Sequence, residues 1–148
     1  MRNQKLQNST MIRFDIADVQ LPVFINHSTR KWIENCIVLY GKRLGEIQYV
    51  FCSDEYLYDL NVRYLNHDTY TDIITFDLSD KADFISGELY ISLERVLENS
   101  QLSIQTFENE MNRVIIHGVL HLLGFKDKTK SESDEMRLQE QKCLSLLT

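Results

Sequence analysis

The stretch "SIQTFENEMNRVIIHGVLHLLG", residues 103–124, decides how the rest of the chain is read. Its apolar residues Phe107, Met111, Val114, Ile115, Leu120, Leu122 and Leu123 cover much of a helical surface. A helix apolar on most sides is enclosed by other elements rather than laid along a surface. The pattern predicts a long central helix, capped near Ser103 and stopped at Gly124. His117 and His121, two of the four histidines in the chain, lie on it four residues apart.

Upstream, "MIRFDI" (11–16) alternates and predicts a first strand. "HSTRKWIENCIVLYGKRLG" (27–45) predicts a helix, with Ser28 or Thr29 at its start and Gly45 as its stop. "EIQYVFC" (46–52) is a second strand. "SDEYLYDLNVRYL" (53–65) is a helix with Ser53 as N-cap and acidic residues in the first turn, where the helix dipole favours them. "DIITFDL" (72–78) and "GELYISL" (87–93) are two further strands, and "SLERVLENS" (92–100) a short helix. "SESDEMRLQEQKCLSLL" (131–147) is a final amphipathic helix, with Ser131 and Asp134 in capping-box spacing. The order β-α-β-α-β-β-α-α-α predicts an α+β fold: a small mixed four-stranded sheet covered by helices, in one domain over residues 1–148.

Composition narrows the class. A chain of 148 residues, 43% hydrophobic and 26% charged, is long enough to bury a core. Cys36, Cys52 and Cys143 are scattered, with no CxxC pair, and read as buried reduced thiols. "MRNQKLQNST" (1–10) has no apolar core of signal-peptide length, and no apolar run approaches the roughly 20 residues of a membrane span. A cytoplasmic protein without a membrane partner is expected. The net charge of −6 argues against a general nucleic-acid coat, because phosphate binding needs clustered cations. The run "KDKTK" (126–130) is a local exception, with Lys126, Lys128 and Lys130 around Asp127.

Residues four apart on a helix share a face, with Cβ atoms roughly 6 Å apart. Two imidazoles so placed can converge on one divalent ion, as in HExxH helices. Here the motif is H-G-V-L-H, and Gly118 stands where a metalloprotease carries its general base. A zinc protease is therefore not expected. Gly118 also lowers helix stability by about 1 kcal/mol relative to Ala. It implies close approach of backbone or substrate, or tight helix packing. Past Gly124 the chain can fold back, and Asp127 follows His121 by six residues, a short enough return to bring its carboxylate to the same ion. Two imidazoles, one carboxylate and an open position form a catalytic pattern, since structural zinc sites are normally closed. The same ligands suit non-haem iron, but nothing else in the chain points to an oxygenase.

"HGVLHLLGFKD" (117–127) resembles the signature H-G-x-L-H-L-x-G-Y/F-D-H of the YbeY family of endoribonucleases. "LNVRYLNHDTYTDIITF" (60–76) resembles that family's L-N-x-x-Y-R-x-x-D-x-x-T-D-V-L-S-F segment. "GELYIS" (87–92) resembles its G-D-I-x-I-S strand, and "DEMRLQEQKCLSLL" (134–147) its closing M-x-x-L-Q-E-x-x-L helix. The likeness spans about residues 46 to 147 in the expected order. It implies a metal-dependent, single-strand-specific endoribonuclease acting in 16S rRNA 3′-end maturation and ribosome quality control. Its partners would be ribosomal RNA, pre-ribosomal particles and ribosome-associated proteins. It implies one Zn2+, or another divalent ion, on His117 and His121.

The sequence departs from the pattern at two places. The family's third histidine falls at Asp127, which makes the expected ligand set His117, His121 and Asp127. With one anionic ligand the ion keeps a formal charge of +1 rather than +2, and the flanking lysines partly restore its pull on phosphate. The usual arginine falls at Leu65, and Arg63 is about 200° away around the helix. Arg137 is a further candidate phosphate contact. His67, Asp68 and Asp72 are the candidates for acid/base work, which Gly118 cannot supply. The expected chemistry is cleavage of an RNA phosphodiester through the metal held by His117 and His121, either by Lewis-acid action or by an activated water. The rival expectation is a ribosome-assembly binding factor whose metal is structural.

Overall fold

In the computed structural model, residues 11–147 are described. The reading of "MRNQKLQNST" therefore lies outside the described residues. The elements run β1 (Met11–Ile16), α1 (His27–Leu39), β2 (Arg43–Cys52), α2 (Asp54–Leu65), β3 (Ile73–Asp77), β4 (Phe84–Ser92), α3 (Leu93–Leu102), α4 (Phe107–Leu122) and α5 (Lys130–Leu144). This is the order expected from the sequence. The strands form one four-stranded mixed sheet in the order β1-β2-β4-β3. β1 and β4 pair parallel to β2, and β3 closes the other edge antiparallel to β4. Among the described residues no helix is long and apolar enough to cross a membrane.

Alternation along the strands divides the interior. Tyr49, Phe51, Leu89 and Ile91 point into the main core, where they meet Ile33 and Ile37 of α1 and Ile115, Val119 and Leu120 of α4. Cys52, Ile74, Phe76 and Tyr90 face the other way and close a smaller cluster with Leu57 of α2. Helix α4 buries ten of its 16 residues, eight of them apolar or glycine, as its broadly apolar surface requires. Polar pins fix its neighbours. The Tyr49 hydroxyl donates to the Ile115 carbonyl at 2.9 Å, and Trp32 Nε1 donates to the Cys143 carbonyl at 2.9 Å, which ties α1 to α5. Cys36, Cys52 and Cys143 are buried free thiols, as expected.

Several element ends differ from the sequence reading, each for a local reason. α1 is capped by Asn26, whose side chain accepts from Ser28 N at 2.9 Å while Thr29 Oγ1 accepts from Asn26 N at 3.1 Å. That reciprocal box outcompetes a cap at Ser28 or Thr29. α1 ends at Leu39, and Gly45 lies inside β2 near a register irregularity, not at a helix stop. α4 starts at Phe107, capped by Thr106, because Ile104 adopts a left-handed φ of 57° that no helix continues through. α5 is boxed by Thr129 and Glu132 rather than Ser131 and Asp134. Asp134 pairs with Lys130 instead, at 3.0 Å.

Candidate metal centre

Gly118 explains how α4 comes to lie where it does. A Cβ at this position would stand 2.2 Å from Leu89 Cδ2 and 2.9 Å from Ile73 Cδ1. The absent side chain lets the helix press onto β4 and β3, so of the roles open to this glycine the structure supplies helix packing. With that face of the helix against the sheet, His117 and His121 turn toward the cleft beside β3.

The turn after the helix brings the third group. Phe125 N donates to the Leu120 carbonyl at 3.0 Å, and Gly124 takes a φ of 106°, a conformation that glycine adopts without steric penalty. The Phe125 ring packs edge-on against Tyr40 at 5.6 Å and anchors the turn. Lys128 N and Thr129 N donate to Glu132 Oε1 at 3.1 and 3.0 Å, which starts α5 and fixes the other end. Asp127 is held between these anchors. Its Oδ2 lies 3.2 Å from His117 Nε2 and 3.2 Å from His121 Nε2, and the two Nε2 atoms are 3.1 Å apart.

The donor set fits a small divalent ion. A tetrahedral ion with bonds of about 2.0–2.1 Å has ligand-to-ligand edges of about 3.3–3.4 Å. The observed triangle is smaller by only about 0.2 Å on the same comparison. Two ring nitrogens and a carboxylate oxygen converging this closely repel one another unless a cation or a proton lies among them. Two helical imidazoles and one carboxylate could therefore hold a metal, with room for a further ligand on the cleft side.

The tripod stands at the wall of a cleft of about 640 Å³. The rest of the lining comes largely from the end of α2, the loop to β3 and β3 itself, including Leu65, His67, Tyr70 and Asp72. Three carboxylates line the cleft, those of Asp72, Asp77 and Asp127, against one lysine, Lys128. Without a bound cation this lining repels phosphate. Burial pushes the Asp72 carboxyl above the usual range, against the opposing pull of Arg113 and His117.

Not every sequence candidate reaches the cleft. Leu65 does, so at the position of the usual arginine an apolar side chain faces the site. Arg63 is exposed and pairs with Asp59 at 2.9 Å. Arg137 lines a different cleft, between α4 and α5. Asp68 accepts a hydrogen bond from the Tyr58 hydroxyl and is not part of the cleft lining. Lys130 is engaged by Asp134. Two residues escaped the sequence reading. Glu140 of α5, buried at 2% exposure, lies 2.7 Å from His117 Nδ1, and Arg113 of α4 holds it. Burial alone would raise the Glu140 carboxyl, but His117 and Arg113 outweigh it and keep it below the ordinary value. Arg113 falls four residues before His117 and could have been read as sharing its face. Glu140 carried no local signal.

The chain as a whole has close counterparts. It is 45% identical over 138 residues to Endoribonuclease YbeY of Phocaeicola vulgatus, covering 93% of this chain and 99% of that one. It is 47% identical over 136 residues to Endoribonuclease YbeY of Porphyromonas gingivalis, covering 92% of this chain and 89% of that one. The solution structure of TM1509 from Thermotoga maritima superposes with a TM-score of 0.68 at 26% identity, over 91% of this chain and 87% of that one. The family model described as Endoribonuclease YbeY matches residues 15–148, from within the first described strand through the His117, His121 and Asp127 cluster and the helix that backs it. With its motifs in order and its fold shared, the chain belongs to the YbeY endoribonuclease family.

Proposed function

We propose that this chain is a zinc-dependent, single-strand-specific endoribonuclease of the cytoplasm, acting as one domain on ribosomal RNA within pre-ribosomal particles. Maturation of the 16S rRNA 3′ end and ribosome quality control are the roles that the family resemblance implies. The observation that carries the reading is the convergence of His117 Nε2, His121 Nε2 and Asp127 Oδ2 to within 3.2 Å of one another at the wall of an open cleft. An ion closed in by four protein ligands would favour the rival, an assembly factor with a structural metal. Three donors facing a cleft favour catalysis.

Bound on this tripod, a divalent ion supplies Lewis acidity toward a phosphodiester and its attacking water. The protein's own groups do the rest. His117 and His121 present ring nitrogens from one face of a largely buried helix, which holds them in place. Asp127 contributes the charge that keeps the cation, and Lys128 in the cleft lining draws the RNA backbone. The wall formed by Leu65 and Tyr70 offers apolar and aromatic surface to an unstacked nucleotide, the form that single strands present. Asp72, whose carboxyl burial pushes upward, is the best placed of the three candidates to hold or pass a proton.

The test is cleavage of a single-stranded RNA carrying the 3′ end of 16S precursor, free and within 30S particles, with zinc supplied. His121→Ala is expected to fold as the parent does and to lose cleavage by at least about 100-fold, the scale of losing a group on which the chemistry depends. Undiminished cleavage by that folded variant would sink the proposal.

A further inference from the structure

We infer that Glu140, held by Arg113, is a positioning residue for the metal: it fixes the His117 ring in the tautomer and orientation that aim Nε2 at the tripod. The inference rests on the metal reading above and adds residues that it does not use. Glu140 lies on α5, outside the lining of the catalytic cleft, and is 2% exposed. Its Oε2 is 2.7 Å from His117 Nδ1. An ionised carboxylate only accepts hydrogen bonds, so Nδ1–H is the donor, and in the neutral ring that a metal requires the lone pair is left on Nε2. Nε2 is the atom that faces His121 and Asp127.

The carboxylate is itself held in place. Arg113 Nη1 donates to both Glu140 oxygens at 3.3 Å. The guanidinium is fixed in turn by Glu110, at 3.1 Å from Nε and 2.7 Å from Nη2. It also stands 4.0 Å from Asp72 in the cleft. A carboxylate this deeply buried is expensive to desolvate unless its oxygens are partnered. Glu140 is partnered on two sides, by a cation and by the back of a candidate metal ligand. A carboxylate or carbonyl behind a ligating histidine is how proteins set ring orientation and ligand basicity.

The experiment uses the full chain. Zinc affinity is measured by competition with a chromophoric chelator. Folding is followed by thermal melts in EDTA. Ring tautomers are read from long-range 1H–15N NMR correlations of the metal-free protein. The parent is expected to show His117 as the Nδ1–H tautomer. Glu140→Leu is expected to lose that preference and to bind zinc about 10–100-fold more weakly. Glu140→Gln keeps a carbonyl acceptor, and is expected to retain the tautomer and stay within about 10-fold of the parent. An Nε2–H tautomer in the parent overturns the inference, even if Glu140→Leu does not fold. Parent-like affinity and tautomer in a folded Glu140→Leu protein also overturn it. Those results leave the metal reading standing as long as His121→Ala still weakens zinc binding. Zinc binding that is absent from the parent, or indifferent to His121→Ala, overturns both.

Discussion

The tripod has a backed side and an open side. The His117 side chain is 17% exposed and hydrogen-bonded from behind by a buried carboxylate. His121 and Asp127 are 30% and 36% exposed, and beyond the tripod itself neither side chain has a hydrogen-bond partner among the described residues. The difference separates two tasks. His117 sets the position of the site in a rigid interior. His121 and Asp127 are the more exposed members, on the side of the tripod open to the cleft. A site built this way is pre-organised on one flank and accessible on the other.

The strongest way to break this contrast is to remove each imidazole in turn. Both His117→Ala and His121→Ala should weaken zinc binding by at least about 100-fold, since each deletes one ligand of a site whose total binding energy is on the order of 10 kcal/mol. Only His117→Ala should also destabilise the metal-free fold, by about 1–3 kcal/mol, because it leaves Glu140 buried and short of a donor. Melts in EDTA check this, and equal losses of stability in the two variants would erase the distinction between the flanks.

Asp127 tests the open flank. Asp127→Ala should weaken zinc about 10–100-fold with little effect on the metal-free melt. Asp127→His should keep zinc bound, because imidazole is an equally competent ligand. Full occupancy in Asp127→Ala, measured by elemental analysis after gel filtration, would show that the third ligand lies elsewhere.

A smaller effect is expected where α4 meets the sheet. Ala normally improves a helix over Gly by about 1 kcal/mol. At position 118 the sign should reverse, because Leu89, the nearest neighbour of the added Cβ, is fully buried and has little room to yield. Gly118→Ala should lower stability by about 1–2 kcal/mol in denaturant melts. A more stable variant would show that the helix can lift off the sheet. The smallest expected effect belongs to Lys128. Its replacement by Ala should weaken single-stranded RNA binding a few-fold and reduce the salt dependence by about one ionic contact. An unchanged salt slope would remove Lys128 from the RNA path.

Much of this was legible in the sequence because the signals were local. Helix α4 shows itself through apolar residues over much of its circumference, and the histidine pair through its spacing of four. Asp127 is readable because it follows His121 by only six positions and Gly124 marks a turn between them. Glu140 was not legible, since it stands 23 positions beyond His117 and sits in a segment that reads as an ordinary amphipathic helix. Its burial depends on how α5 packs on α4, which no local pattern encodes. The caps were misplaced for a related reason. Asn26 and Thr129 win because their boxes close reciprocally, with Thr29 and Glu132 as the returning partners, whereas the Asp134 that would close a box on Ser131 pairs with Lys130.

The sheet order also governs how the chain must assemble. β2 sits between two parallel partners, and Tyr49 aligns with Phe14 on one side and Leu89 on the other, so neither contact comes from a hairpin. Only β3 and β4, joined through residues 78–83, form an antiparallel neighbouring pair among the described residues. Closure of the remaining ladders waits on distant segments meeting, which slows folding and lengthens the exposure of unpaired strand edges. The two histidines on α4 and the carboxylate beyond it are close in sequence, so these three side chains can draw together while strand β1 is still seeking its place.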